Sequence, residues 1–164
     1  MKKTDPYYKT NRASKYIYGI ILMFAFVISQ SHEQQSSPLL LAVLALIASF
    51  SFAFAEIYAE ILGSYIKNKG KTKKTERQEI ISDSLAMMST GTIVSLIFVL
   101  SSLDFYTERT AFRLSYGVLL ALLFLFSFWA YKLVGFSVMK AVVIASFSVA
   151  LGVFVVWLKY NFGH

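Results

Sequence analysis

Two glutamates, Glu56 and Glu60, stand four residues apart at the end of a long hydrophobic stretch of the sequence. A charged carboxylate near the middle of a bilayer costs about 2.5–3.5 kcal/mol, so a membrane helix seldom keeps two without a use for them. The spacing of four places both carboxylates on one face of a helix. Because like charges repel in a partly dry site, such a pair tends to share a proton or hold a cation. We therefore predict that this glutamate pair is the functional site.

Further candidate ligands follow in the next hydrophobic segment. Glu76, Glu79 and Asp83 have the helical spacing i, i+3, i+7, and Met87 stands four residues after Asp83. A carboxylate oxygen beside a thioether sulfur suits a divalent transition metal of intermediate softness. A short connection makes consecutive spans neighbours, so we expect these residues to meet the glutamate pair in one acidic vestibule on the cytoplasmic side.

Each candidate also has a purely structural alternative. Glu76 and Glu79 stand among basic residues, and such a mixture of charges is also typical of the solvent-exposed first turns of a helix. Asp83 fits an N-cap of the third span, and Met87 fits a packing role. The glutamate pair has the alternative of reaching toward the interface or pairing with Lys67 or another nearby basic residue.

The composition decides the class of protein. The chain has 164 residues, of which 57% are hydrophobic and 15% charged, with a mean hydropathy of +0.60. Soluble domains have an apolar share of about 45–50%, so we predict an integral membrane protein. Too little chain remains outside the spans for an ordinary catalytic domain, so no enzyme is expected. The sequence has no cysteine, and it shows no phosphate-binding loop, catalytic triad or histidine metal motif.

Five hydrophobic stretches are each near the roughly 20 residues that a helix needs to cross a bilayer. They cover residues 16–31, 39–66, 84–103, 111–131 and 138–158. The first is short enough for a signal peptide, but residues 31–34 form a poor cleavage site and another span follows closely. We therefore predict an all-α fold in which residues 1–164 form a single transmembrane domain of five helices.

The distribution of basic residues predicts the orientation of these helices. Most of the 16 Lys and Arg residues lie before the first span, after the second or after the fourth. Cytoplasmic loops carry such an excess, so the N-terminus is predicted to be cytoplasmic and the C-terminus external. The same rule explains the net charge of +7 without a nucleic-acid partner. The predicted location is the plasma (inner) membrane if the source is bacterial, and otherwise an organelle membrane.

With five spans in this orientation, the sequence resembles the vacuolar iron transporter (VIT) family, whose members export iron or manganese from the cytosol. Residues 18–25, YGIILMFA, are similar to the family pattern D-G-L-x-x-x-F-A, and residues 59–66, AEILGSYI, are similar to S-M-x-x-G-x-Y-L. Tyr18 stands at the family's aspartate and Glu60 at its methionine. The cytoplasmic metal-binding insert of some members is absent. The resemblance implies a homodimer and makes Tyr18 and Met23 further candidate site residues.

Two functions from different classes follow from these observations. The first is binding or transport of a divalent cation, Fe²⁺ or Mn²⁺, at the acidic site, with protonation of the glutamate pair driving release. This function needs no covalently bound cofactor. The alternative is a small membrane subunit or pore-forming effector that does not transport and binds a membrane or cytoplasmic partner. Small residues such as Ser84, Gly91 and Gly152 favour the close helix packing that this alternative needs.

Overall fold

A computed structural model describes residues 6–31, 37–70 and 74–162 of the chain. These residues form an all-helical fold of five helices, joined by short connections. The helices are α1 (Pro6–Gln30), α2 (Pro38–Lys67), α3 (Lys74–Ser102), α4 (Glu108–Leu133) and α5 (Val138–Phe162). Each of the five contains a segment long and apolar enough to cross a membrane, as predicted for an integral membrane protein.

The largest differences from the predicted spans are at the starts of two helices. Helix α1 begins at Pro6 and α3 begins at Lys74, in both cases well before the apolar stretch. The residues before the third span include Lys, Glu, Arg and Gln, which are good helix formers, so they continue α3 toward its start. The structural alternative for Asp83, an N-cap of the third span, is wrong, because α3 has already begun at Lys74 and Asp83 lies in its interior.

Local signals explain where the other helices begin and end. The Ser37 side chain caps α2 by accepting a hydrogen bond from the backbone N–H of Leu40, and Pro38 occupies the first turn. Gly135, at φ +90°, makes the turn between α4 and α5. A left-handed conformation of this kind favours glycine, because other residues place a Cβ against the backbone.

Small residues bring α3 close to both α1 and α2. A Cβ added to Gly19 on α1 would lie 3.0 Å from the Cα of Met87 on α3. The contact between Gly91 on α3 and Ser49 on α2 is tighter still. In a membrane, where lipid tails are as apolar as the helices, such close backbone contacts contribute much of the packing energy.

Aromatic and aliphatic side chains join α1 to α4 and complete the core. The Tyr16 and Phe126 rings stack with their centroids 4.3 Å apart. The core includes Val27, Phe98 and Leu119, which are almost fully buried. Helix α5 packs against α4 near Gly152, and most of its large side chains face outward. An outward apolar face of this kind suits contact with lipid tails.

Candidate functional site

Lys15 of α1 joins the two glutamates of α2 in a three-residue charge cluster. Its Nζ atom donates hydrogen bonds to Oε1 of Glu56 and to Oε1 of Glu60. The exposed fraction of the Lys15 side chain is 8%, against 21% for Glu56 and 30% for Glu60. The ammonium is therefore enclosed between the carboxylates, and the carboxylates retain some access to solvent.

The local sequence explains how the lysine reaches this position. The spacing of four on α2 puts both carboxylates on one face, toward α1. Ala53, two turns before Glu60 on the same face of α2, is a small residue and is buried. The aliphatic stem of Lys15 can then be buried along the helix interface while its charged end meets the carboxylates.

The charges of the cluster do not balance. A lysine carries one positive charge, and two ionised glutamates carry two negative charges. Hydrogen bonds between ionised groups are among the strongest in proteins, so Lys15 offsets part of the cost of burying the carboxylates. One negative charge remains, and either one proton or a further cation would neutralise it.

The other acidic candidates lie on α3 in different surroundings. Glu76 accepts a 2.7 Å hydrogen bond from Oγ of Ser64 and a 3.3 Å bond from Nδ2 of Asn68, and so connects the end of α2 to the start of α3. Glu79 is half-buried, and Asp83 is buried with 2% of its surface exposed. The hydrogen bonds of Glu76 therefore contribute to the connection between α2 and α3.

The remaining predicted site residues are divided between core and surface. Met87 packs beneath Gly19 with 1% of its surface exposed, and Met23 is equally buried in the core. The Tyr18 side chain on α1 is 45% exposed and lies on the surface of the helix bundle. Burial of the two methionines agrees with a packing role for these side chains.

The predicted acidic vestibule is only partly assembled. Glu56 and Glu60 come together as expected from their spacing. Within residues 6–31, 37–70 and 74–162, however, no group of three or more His, Cys, Asp or Glu side chains could hold a metal ion. The third member of the cluster is instead Lys15. The glutamate pair therefore has a basic partner, as in its structural alternative, but this partner is Lys15 of α1 and not Lys67.

Sequence reasoning missed the role of Lys15. In the sequence this residue is only one of several cytoplasmic charges that set the orientation. A signal is nevertheless present, because Lys15 stands directly before the first predicted span while Glu60 stands near the matching end of the second. Two adjacent antiparallel spans bring such positions to a similar depth.

Comparison with protein-family models, curated proteins and solved structures gives no match for this chain. The resemblance to the VIT family therefore stays a prediction from the sequence patterns. The features of the described residues that bear on function are the cluster of Lys15, Glu56 and Glu60 and the apolar helices.

Proposed function

We propose that the chain is an integral membrane protein that binds a divalent cation, Mn²⁺ or Fe²⁺, at Glu56 and Glu60 and moves it across the bilayer. The observation that carries this proposal is the shared lysine, because one ammonium does not balance two ionised carboxylates, and the excess negative charge attracts a divalent cation that can replace the ammonium. Carboxylate oxygens are suitable ligands for Mn²⁺, and water can complete the coordination.

In this mechanism Lys15 holds the empty site closed. An entering divalent cation competes with the ammonium for the two carboxylates and balances both negative charges. The displaced Lys15 remains nearby and repels the bound cation. Protonation of either carboxylate then weakens the metal site, so the ion leaves and the lysine returns. Transport would consequently be coupled to protons.

We also propose that the N-terminus of the chain is cytoplasmic and the C-terminus external. The basic residues near the start of α1, between α2 and α3 and between α4 and α5 support a cytoplasmic N-terminus. Glu60 is seven residues from Lys67, the last residue of α2, so the cluster would lie near the cytoplasmic end of the span. The site would therefore load from the cytoplasm, and the ion would be exported.

Flux measurements in proteoliposomes test the proposal. The wild-type protein should move Mn²⁺ when a pH gradient is applied, at a rate well above that of protein-free liposomes. Glu60→Gln should abolish this flux, because the amide keeps the shape of the side chain and loses its charge. Glu108→Gln, the same change at the start of α4, should retain it. Equal Mn²⁺ entry into wild-type and protein-free liposomes would refute transport.

A non-transporting membrane subunit is the second candidate, and the enclosure of Lys15 favours it. In this function the cluster is a structural lock that joins α1 to α2, and the outward helix faces contact a partner protein. Removing Lys15 would leave two partly buried carboxylates without their cation, which is strongly destabilising. If the cluster has this structural role, Lys15→Met should lower the thermal midpoint. Adding Glu60→Gln to this variant should restore part of the loss. Mn²⁺ should change the midpoint of none of these proteins.

A further inference from the structure

A groove of about 480 Å³ lies between α1 and α3, apart from the charge cluster. Its walls include Arg12 and Tyr16 from α1 and Gln78, Ser82, Leu85 and Ser89 from α3. The α3 residues follow one another at intervals of three or four, so they form a single stripe along the helix. The groove therefore follows the helix axis and leads from the polar start of α3 into its apolar part.

The polarity of the groove changes along its length. Gln78 and Ser82 are polar. The exposed apolar residues Ile81 and Leu85 line the groove beside and beyond them, and the small Ser89 follows at the far end. Lys74 is exposed one turn before Gln78 and continues the same stripe at its polar end. A basic and polar end joined to an apolar end matches the two parts of a phospholipid, the charged headgroup and the acyl chain.

Arg12 supplies a specific binding group at the polar end. It is half-buried, and its buried Nε atom has no hydrogen-bond partner in the described part of the chain. A buried donor without a partner is costly, and a ligand that accepts its hydrogen bond removes that cost. The planar guanidinium matches the oxygens of a phosphate group, which it can bind through two parallel hydrogen bonds.

We propose that this groove binds an anionic phospholipid, with the lipid phosphate on Arg12 and an acyl chain along Leu85. Charge complementarity selects an anionic lipid, because Lys74 adds a second positive charge near the same end. A free phosphate ion would use the guanidinium but would leave the apolar end empty. The site shares no lining residue with the cluster of Lys15, Glu56 and Glu60, so it stands whether or not the chain transports a cation.

Lipid retention by the full-length protein tests the site. Protein purified in mild detergent would be incubated with phosphatidylglycerol or phosphatidylcholine, and bound lipid would be counted by native mass spectrometry. We expect phosphatidylglycerol to bind more tightly, and we expect Arg12→Gln to weaken its binding by about tenfold or more. Two controls each remove one exposed positive charge outside the groove: Lys67→Gln at the end of α2 and Arg113→Gln on α4. Each should change phosphatidylglycerol binding less than about twofold.

Two further arms distinguish lipid binding in the groove from a general charge effect and from the binding of free phosphate. Ser82→Trp keeps every charge but fills the groove at an exposed position, and it should also displace the lipid. Inorganic phosphate and glycerol phosphate should not compete at millimolar concentration, because they lack an acyl chain. Unchanged thermal midpoints in lipid-free detergent would show that the variants fold. Equal losses in Arg12→Gln, Lys67→Gln and Arg113→Gln, or full competition by inorganic phosphate, would overturn the proposal.

Discussion

Gly91 on α3 lies so close to Ser49 on α2 that a Cβ added to the glycine would stand 2.2 Å from the Ser49 Cβ. Real Cβ atoms do not approach so closely, and the carbonyl oxygen of Ala45 is only 3.1 Å from the same point. Any side chain at position 91 must therefore push the two helices apart. Ser49 stands on the same helix as Glu56 and Glu60, two turns before Glu56.

Replacement of Gly91 by alanine should accordingly destabilise the protein. Overpacking of a close contact typically costs about 1–3 kcal/mol, and we expect Gly91→Ala to fall in this range. Gly117→Ala is the matched control, because no atom lies within 4 Å of its added Cβ, and it should be neutral or slightly stabilising. Reversible unfolding in mixed detergent measures both. Equal stability of the two variants would contradict the close helix contact.

Tyr106 holds the connection between α3 and α4. Its hydroxyl donates a 2.6 Å hydrogen bond to the carbonyl of Ile97, and the Ser101 hydroxyl donates a 3.1 Å bond to the carbonyl of Tyr106. Tyr106→Phe removes the first bond and leaves the Ile97 carbonyl without this donor. We expect a loss of about 0.5–1.5 kcal/mol in the free energy of unfolding, measured as above. Ser102→Ala, which removes a bond within α3 alone, is the control.

The same tyrosine gives the stability a dependence on pH. Burial raises the pKa of Tyr106 above its ordinary value of 10.0, so the folded state holds the phenol proton more tightly than the unfolded state. Its contribution is fully present below the ordinary pKa and is lost as the pH rises through the higher folded pKa. The stability difference between wild type and Tyr106→Phe should therefore shrink above about pH 10. A difference that grows above this pH would contradict the assignment.

Reporter fusions test the proposed orientation. A reporter after His164 should be external, because five helices of the described residues are long and apolar enough to span a membrane and most basic residues mark the opposite side. One inserted between residues 69 and 72 should be cytoplasmic. A cytoplasmic reporter after His164 together with an external one in the α2–α3 connection would show the reverse orientation, and the proposed loading from the cytoplasm would be wrong.

A homodimer formed through α2 is the expected assembly. Ile47, Phe54 and Tyr58 are exposed on one outward face of this helix, with exposed fractions of 55%, 66% and 71%. Single cysteines at positions 47 and 54 should crosslink two copies in native membranes, and the chain has no other cysteine to interfere. A cysteine at Leu125, exposed on α4, should crosslink much less. Equal crosslinking at all three positions would count against a specific interface.

Hydrophobic length and local turn signals are sufficient to predict the helical framework. Five apolar stretches predict five helices, and the structure has local signals at two of their boundaries, the Ser37 cap with Pro38 and the turn at Gly135. These features depend on residues close in sequence. The extended starts of α1 and α3 are missed, because the polar residues there continue a helix that hydropathy cannot detect.

The candidate site depends on contacts between helices and is therefore harder to predict. The spacing of Glu56 and Glu60 is local to α2, and their shared face follows from it. Their partner comes from another helix, and the register of α1 against α2 selects Lys15 among several basic residues near the membrane surface. The spacing of Met87 from Asp83 predicts a place in the vestibule, but the close approach of Gly19 encloses this side chain in packing.

The central claim is that Glu56 and Glu60 bind a divalent cation in competition with Lys15. Thermal unfolding in detergent, with and without Mn²⁺, tests it most directly for wild type, Glu56→Gln and Glu60→Gln. We predict that Mn²⁺ raises the wild-type midpoint, that Glu60→Gln abolishes this shift and that Glu56→Gln reduces it. A shift of undiminished size in both variants, or no shift in the wild type at saturating Mn²⁺, would contradict the claim.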